Sequence, residues 1–220
     1  MVSTEGARSE RNRTDLMSSL RLTAMLALSF AFEAVAQPTA DKPDLKVGDN
    51  WDFKQSVKIA SGEEKSEPWS RRVVEVQQDG RVQVAIGNAT LPLDAMLNRI
   101  DARGPEYSVP TYKFPMKIGN EWSYSAKAGE AGMAERRGSY KVVAYEPVTV
   151  PAGTFDCFRV EGQWETSARG YTGKAREQYW YCPAIKFIAK SSSQFDQNFR
   201  DRPSTSETRQ SELTKFTPAP

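Results

Sequence analysis

Few side chains in this 220-residue chain have the type and spacing needed for chemistry, and histidine is absent. Its absence excludes Ser-His-Asp and Cys-His catalysis and the usual histidine-containing zinc sites. Two carboxylates can still hydrolyse a glycosidic bond without histidine. Glu161 and Glu165 are the candidates, but we predict that both lie on a solvated strand face. The sequence therefore assigns no catalytic residue and favours a protein that is not an enzyme.

The sequence contains no recognisable site for a metal, a nucleotide cofactor or a nucleic acid. A metal site built from oxygen ligands needs clustered acids, and Asp49 and Asp52 are too few. The chain contains no phosphate-binding loop, dinucleotide fingerprint or nucleophile elbow. With 30 basic against 28 acidic residues, its formal net charge of +2 gives no electrostatic footprint for nucleic acid. We expect no metal, no cofactor and no nucleic-acid partner.

Aromatic residues are the best candidates for binding a ligand. Small-molecule sites are concave and rich in aromatic side chains, so a curved sheet could present these residues to an apolar ligand. Packing in the core of a small β-protein is the simpler explanation for any one of them. The candidate ligand-binding residues are Trp51, Trp122, Tyr124, Trp164, Tyr179 and Tyr181.

The two cysteines are predicted to form a structural disulfide across a β-hairpin. Strand-like segments run over residues 155–165 and 174–182, and placing Cys157 opposite Cys182 fixes their register. That register sets Glu165 against Lys174 on a polar face and collects apolar residues on the other, as cross-strand energetics favour. The apolar set is Phe158, Val160, Trp164, Ala175, Tyr179 and Tyr181. A redox-active pair is the alternative, but the spacing is not C-x-x-C.

The first 36 residues have the layout of a secretory signal peptide. A polar segment ending at Arg21 precedes the apolar run Leu22–Phe32, and the small-x-small site 34–36 follows it. The run is shorter than the roughly 20 apolar residues of a membrane-spanning helix. Met17 is an alternative start. We expect a periplasmic or secreted protein with no stable membrane insertion once residues 1–36 are cleaved, and such a compartment favours disulfides.

The remaining chain is predicted to be mainly β and to contain an internal repeat. The segment Lys46–Phe53 recurs as Lys117–Tyr124, 71 positions later, and a pair of valines follows each copy. We therefore expect one β domain over 37–202, with related modules at 45–110 and 113–192 and a strand over 139–145 in the second. Residues 78–80 favour a three-residue hairpin loop that pairs Val76 with Val82 and Val74 with Val84, and 93–100 is the only helical candidate. Residues 203–220 lack apolar periodicity and are predicted to be disordered.

Three segments resemble exported bacterial proteins of unknown function. The segments are Phe114–Tyr124, Val148–Cys157 and Tyr179–Pro183, and the shared pattern is G-x-x-W-x-Y, then V-P-A-G-T-F, then Y-W-[YF]-x-P. The resemblance covers about residues 112–192 and brings no catalytic residues. It implies a lipoprotein-carrier-like architecture, in which a curved antiparallel sheet or half-barrel wraps an apolar interior. The cysteine pair departs from that pattern, so the bridge depends on the register argument.

Three functional hypotheses follow from these observations. The first is a non-catalytic exported module that binds a lipid, another apolar ligand or an envelope protein on an aromatic-lined concave face. The second is a histidine-free carboxylate hydrolase acting on a glycan or envelope polymer. The third is a module that recruits a partner by adding a strand to an exposed sheet edge.

Overall fold

The computed structural model describes residues 37–129 and 132–220. The predicted signal peptide, residues 1–36, lies outside the described residues. Two single 3-10 turns, Pro105–Tyr107 and Pro183–Ile185, are the only helical segments described, so the all-β prediction is confirmed. The strands are β1 Thr39–Ala40, β2 Asn50–Ile59, β3 Glu64–Val76, β4 Val82–Ile86, β5 Ala89–Leu93, β6 Met116–Lys117, β7 Glu121–Ala128, β8 Ala134–Val150, β9 Gly153–Ala168, β10 Tyr171–Cys182, β11 Phe187–Phe199 and β12 Thr205–Thr217.

Ten of these strands form one curved antiparallel sheet that stays open. Its order is β5-β4-β3-β2-β12-β11-β10-β9-β8-β7, while β1 and β6 form a separate two-stranded ribbon. Each strand from β7 to β11 pairs with the next, and β12 then returns to lie between β11 and β2. The last strand therefore joins the two halves of the sheet.

The prediction of a disordered tail at 203–220 is wrong. Residues Thr205–Thr217 form β12, which pairs along both edges in the middle of the sheet. Leu213 is fully buried, and Phe216 stacks on Trp51 with ring centroids 5.6 Å apart. The two flanking ladders satisfy the backbone of β12. A mostly polar segment can therefore be an ordered strand without the apolar periodicity that the prediction required.

The sequence repeat is reproduced in the backbone hydrogen bonds. Gly48 N–H donates to the Val73 carbonyl, and Gly119 N–H donates to the Val142 carbonyl, each at 2.9 Å. The register of the next strand pair shifts just after Val73 and again just after Val142. The order β4-β3-β2 in the first half matches β9-β8-β7 in the second, so the two copies are related by a shift along the sheet.

The turn that starts each copy is held by an equivalent side chain. Lys46 N–H donates to Asp49 Oδ2 at 2.9 Å, and Lys117 N–H donates to Asn120 Oδ1 at 3.0 Å. Only the first copy adds a charge, because Lys186 Nζ also lies 2.9 Å from Asp49 Oδ2. Asp49 is fully buried, so its carboxylate needs that partner.

Two local predictions are confirmed and two are corrected. Gln77 N–H bonds to the Arg81 carbonyl across the predicted three-residue loop, with Gly80 at φ 84°. Val76 pairs with Val82 as expected, but the predicted Val74–Val84 pair is wrong, because Val74 is the extra residue of a bulge. The helix expected at 93–100 is instead a turn, whose Asp94 carboxylate accepts backbone N–H groups at 96 and 98.

The cysteine hairpin has the predicted register. Glu165 lies opposite Lys174, and Phe158 lies opposite Tyr181. Cys157 and Cys182, both fully buried, form the expected disulfide. The bridge fixes β9 to β10 at the end of the hairpin away from its turn, where both cysteines are part of the buried core.

Truncation after Arg202 should abolish folding, because it removes β12 and leaves β2 and β11 with unpaired edges. We expect circular dichroism on heating to show no cooperative transition. Truncation after Thr217 is the matched control: it keeps β12 and loses the last three residues, including the Ala219 N–H that bonds to Asp49. We expect it to be less stable than the full chain but still to unfold cooperatively. A cooperative transition in the shorter variant would contradict the central role of β12.

Asp49→Asn should lower the free energy of unfolding by about 2 kcal/mol, the usual scale for a hydrogen bond to a charged group. Asparagine keeps the turn, as Asn120 does in the second copy, but removes the charge facing Lys186. Asn120→Asp is the matched control and should change stability little, because Asn120 is only half-buried. Urea unfolding of the three proteins measures both effects.

Asp49→Asn should also reduce how steeply the free energy of unfolding falls at acid pH. Burial by itself raises the pKa of Asp49, but hydrogen bonds from the Ala219 and Lys46 backbone outweigh it. The Lys186 ammonium adds to them, so the pKa lies below its ordinary value. The stability from Asp49 is thus complete above about pH 4 and is lost as pH falls through the lowered folded pKa. An equally steep loss of stability in Asp49→Asn below about pH 4 would contradict this role.

Candidate functional site

Four of the six predicted ligand-binding aromatics are buried in the core. Trp51, Trp122, Tyr179 and Tyr181 are each less than a tenth exposed. Trp51 Nε1 donates to the Ile185 carbonyl at 2.7 Å. The polar atoms of Trp51, Trp122 and Tyr179 are paired with backbone carbonyls, and all four rings fill the space between the sheet and the layer that covers it.

The covering layer is the connection between β5 and β6, residues 94–115, here called the cover segment. Trp122 Nε1 donates to the Pro110 carbonyl at 2.6 Å, and the Tyr179 hydroxyl donates to the Thr111 carbonyl. Phe114 packs edge-on against Tyr181, with ring centroids 5.2 Å apart. The cover segment therefore occupies much of the aromatic face that the sequence offered to a ligand.

An internal clasp holds the cover segment in this place. Tyr112 N–H donates to Asn98 Oδ1 at 2.7 Å, and Asn98 Nδ2 donates back to the Tyr112 carbonyl at 3.2 Å. Asn98 is only 7% exposed, so this reciprocal pair satisfies a polar group that would otherwise destabilise the core. The clasp presents the Tyr112 ring to Tyr179, with ring centroids 5.3 Å apart.

The remaining two predicted residues, Tyr124 and Trp164, lie half-buried beyond this packing. Tyr124 stacks on Tyr140, with ring centroids 5.8 Å apart. Glycines make room for both tyrosine rings: a Cβ at Gly138 would lie 2.8 Å from Tyr124 Cε1, and one at Gly162 would lie 2.5 Å from Tyr140 Cε1. The two rings thus lie flat on the neighbouring strands.

A cavity of about 460 Å³ opens at this part of the sheet. The cover segment forms one wall, and β7 to β10 form the others. We call it the arginine cavity. Its lining residues are Arg99, Asp101, Arg103, Tyr107, Ser108, Val109, Thr111, Lys127, Ala128, Gly129, Arg136, Tyr140, Trp164 and Glu177.

Basic side chains outnumber acidic ones around the arginine cavity by four to two. The two acids already have partners: Asp101 holds Arg103 through bonds of 2.9 and 2.8 Å, and Glu177 accepts the Tyr140 hydroxyl at 2.6 Å. The Arg103 hydrogen bonds keep the pKa of Asp101 well below its usual range. Both acids are therefore engaged in bonds within the cavity wall.

Sequence reasoning did not find the basic residues of this cavity. The strand prediction for β8 began at residue 139, whereas the strand begins at Ala134. Alternation from Tyr140 back through Gly138 reaches Arg136, which would have placed this arginine on the apolar face. Arg136 lies over the Trp164 ring, 4.0 Å from its centroid. Arg99 and Arg103 come from the cover segment, whose path depends on long-range contacts.

Two adjoining troughs, of about 650 and 470 Å³, lie on the opposite, polar face. The carboxylates considered for hydrolysis are found here. Glu161 accepts hydrogen bonds from Arg159 and Gln178, while Glu165 is exposed opposite Lys174. The arrangement matches a charge-paired solvated face, and neither carboxylate is buried as a general acid would need to be.

Two further features concern metals and membranes. Within 37–129 and 132–220, no three histidine, cysteine, aspartate or glutamate side chains are grouped as a metal ion would need. Across the same residues, no helix is long and apolar enough to cross a membrane.

Comparison with known proteins finds only distant structural similarities. No protein-family model and no curated protein matches the chain. The chain is similar to a crystal structure described as a possible exported protein with a YmcC-like fold from Bacteroides fragilis, at 16% identity and a TM-score of 0.42, covering 81% of this chain and 99% of that one. It is also similar to a possible lipoprotein from Parabacteroides distasonis, at 14% identity and a TM-score of 0.44, covering 82% and 100%. A LolA superfamily protein from Nitrosomonas europaea matches at 7% identity and a TM-score of 0.24, covering 81% and 89%. Values this low assign neither a family nor a ligand.

Buried tyrosines should make the protein sensitive to alkali. Burial raises the pKa of Tyr112 and of Tyr124 to about 12 and raises that of Tyr179 well above its ordinary value. Burial and the Glu177 carboxylate also raise the pKa of Tyr140. Such groups stabilise the fold fully below their unfolded pKa of about 10, and that stability is lost as pH rises through the folded values.

We therefore expect these tyrosines to ionise in one cooperative step together with loss of the sheet. Ultraviolet absorbance of tyrosinate and circular dichroism, followed across the same alkaline titration, should change together. Gradual ionisation of all the tyrosines with an unchanged sheet signal would contradict the burial described here.

Proposed function

We propose that this protein is an exported, non-catalytic module that binds an amphiphilic or apolar envelope-derived ligand in the arginine cavity. The observation that carries the proposal is the cavity itself, which lies where the cover segment leaves aromatic rings of the sheet accessible. Its volume of about 460 Å³ is in the range of small-molecule sites, about 300–1,000 Å³. Tyr107 and Trp164 offer it apolar surface from two different walls.

Export is supported by two features of the chain. Residues 1–36 have the order of a signal peptide. The Cys157–Cys182 bridge fits an oxidising compartment, where such bonds persist. The resemblance to lipoprotein-carrier-like proteins gives the same expectation of a periplasmic or secreted protein with an apolar ligand.

Binding without catalysis is supported by the chemistry around the cavity. Glu177 and Asp101, its two carboxylates, both form hydrogen bonds with neighbouring side chains of the wall. The carboxylates considered for hydrolysis lie on the other face of the sheet. The arrangement suits a site that holds a ligand by shape, aromatic contact and charge.

Native mass spectrometry of protein purified from a bacterial periplasm tests this function. We expect a bound small molecule on the wild type that organic extraction removes. Trp164→Ala should reduce the bound fraction several-fold, because it removes apolar surface from the cavity. Trp180→Ala is the matched control, since Trp180 lies on the polar face, opposite Arg159, with its Nε1 bonded to Glu146.

Tyr107→Ala provides a second test from the cover segment, in case Trp164→Ala unfolds; a thermal melt of each variant shows whether it is folded. An unliganded wild type that also takes up nothing from a total envelope lipid extract would contradict the proposed function. Equal loss of ligand in Trp164→Ala and Trp180→Ala would place the ligand elsewhere.

A further inference from the structure

We infer that the arginine cavity is an anion site that takes a phosphate group. This inference rests on the proposed function and names the chemical class of the ligand's polar part. It is carried by an unpaired donor, by the charge balance of the wall and by the orientation of one arginine.

Three buried polar side-chain atoms have no hydrogen-bond partner among the described residues: Tyr124 OH, Arg136 Nε and Thr166 Oγ1. They come from one small area, because Arg136 lies directly opposite Thr166 and two positions from Gly138, the partner of Tyr124. Buried polar groups are nearly always paired, since leaving them unpaired costs free energy. Of these three residues only Arg136 lines the arginine cavity, so its Nε is the unpaired donor that belongs to this site.

Positive charge at the cavity is not fully balanced by the wall. Arg103 is paired with Asp101, and Lys127 lies 3.5 Å from a carboxylate oxygen of Glu106. Among the described residues, neither Arg99 nor Arg136 takes part in an ion pair. A cavity with two unpaired guanidinium groups attracts an anion and disfavours a cationic ligand.

Stacking on an indole ring orients the Arg136 guanidinium for binding an anion. This guanidinium lies over the Trp164 ring, 4.0 Å from the centroid. That contact uses the flat face of the group and leaves its edge of N–H donors for hydrogen bonds. An arginine edge matches the oxygens of a phosphate in a bidentate manner. The same indole contact fixes the guanidinium, so less conformational entropy is lost on binding.

Phosphate fits the set of donors better than a carboxylate does. The cavity residues without an ion pair are Arg99 and Arg136, and a phosphate offers their two guanidinium groups more acceptor oxygens than the two of a carboxylate. The phosphate could belong to a phospholipid headgroup or be free in solution. Both sources share this chemistry, and the experiment separates them.

The test compares two short-chain ligands that differ in one group. Dihexanoyl phosphatidic acid carries the phosphate, and dihexanoylglycerol has the same acyl chains without it. Tryptophan fluorescence titrations below the micellar concentration should show at least about tenfold tighter binding of the phospholipid, the scale of a charge-assisted contact. Added salt should weaken binding of the phospholipid alone. Inorganic phosphate forms the third arm.

Arg136→Gln should remove most of the phospholipid preference, measured as the ratio of the dissociation constants of the two lipids on the same protein. Arg137→Gln is the matched control, because Arg137 is the next residue, lies on the opposite face and pairs with Glu135. Arg99→Gln, on the exposed side of the cover segment, repeats the test at a second position should Arg136→Gln fail to fold.

Each outcome separates the inference from the proposed function. Equal binding of both lipids by the wild type overturns the anion site and leaves the proposed function standing. Binding of neither lipid with binding of inorganic phosphate, lost in Arg136→Gln, upholds the anion site and contradicts the amphiphilic ligand. Binding of none of the three contradicts both. An equal effect of Arg136→Gln and Arg137→Gln overturns the placement of the anion.

Discussion

A single open sheet with one apolar face has to cover that face, because domains are built from at least two packed layers. Here the second sheet described is only the two-stranded β1–β6 ribbon, and no long helix is described. The cover segment therefore supplies much of the second layer, through Phe114, Tyr112 and the carbonyls at 110 and 111. A single irregular segment is narrower than a sheet of ten strands and cannot cover its whole apolar face. The part of the face that it leaves accessible, around Tyr140 and Trp164, is therefore where a cavity forms, and the ligand proposal depends on that mismatch in width.

The internal repeat explains why the cavity lies in the second half of the sheet. Both copies begin with the same turn and strand pair, related by a shift along the sheet, so they present their tryptophans on the same face. In the first copy, Trp51 is sealed by Phe187, Phe216 and the Ile185 carbonyl. In the second, Trp122 lies near the free edge at β7, and polar residues such as Arg136 take part in the packing. Both tryptophans are thus buried, but all the strands that line the arginine cavity belong to the second half of the sheet.

Elements whose two faces differ sharply in polarity could be predicted from the sequence. The Cys157–Cys182 hairpin was predictable because a one-residue slip would mix its charged and aromatic faces. β12 was not, because its inward positions include Ser211 beside Leu213, and its order comes from ladders with strands distant in sequence. The six aromatics were expected to line one concave face, but the burial of four of them depended on the path of residues 94–115. Arg136 was missed because the alternation of β8 was not followed back past residue 139.

The position of β12 also bears on how the chain could reach its compartment. Thr214 and Asp52, which are hydrogen-bonded, lie 162 positions apart in the sequence. While the chain is being synthesised from its amino end, β2 has no partner on that side until almost everything else has emerged. Such non-local pairing is slow to form. The sheet therefore cannot be completed before β12 has emerged, so a chain exported as proposed above would begin translocation with the two halves of its sheet still unjoined.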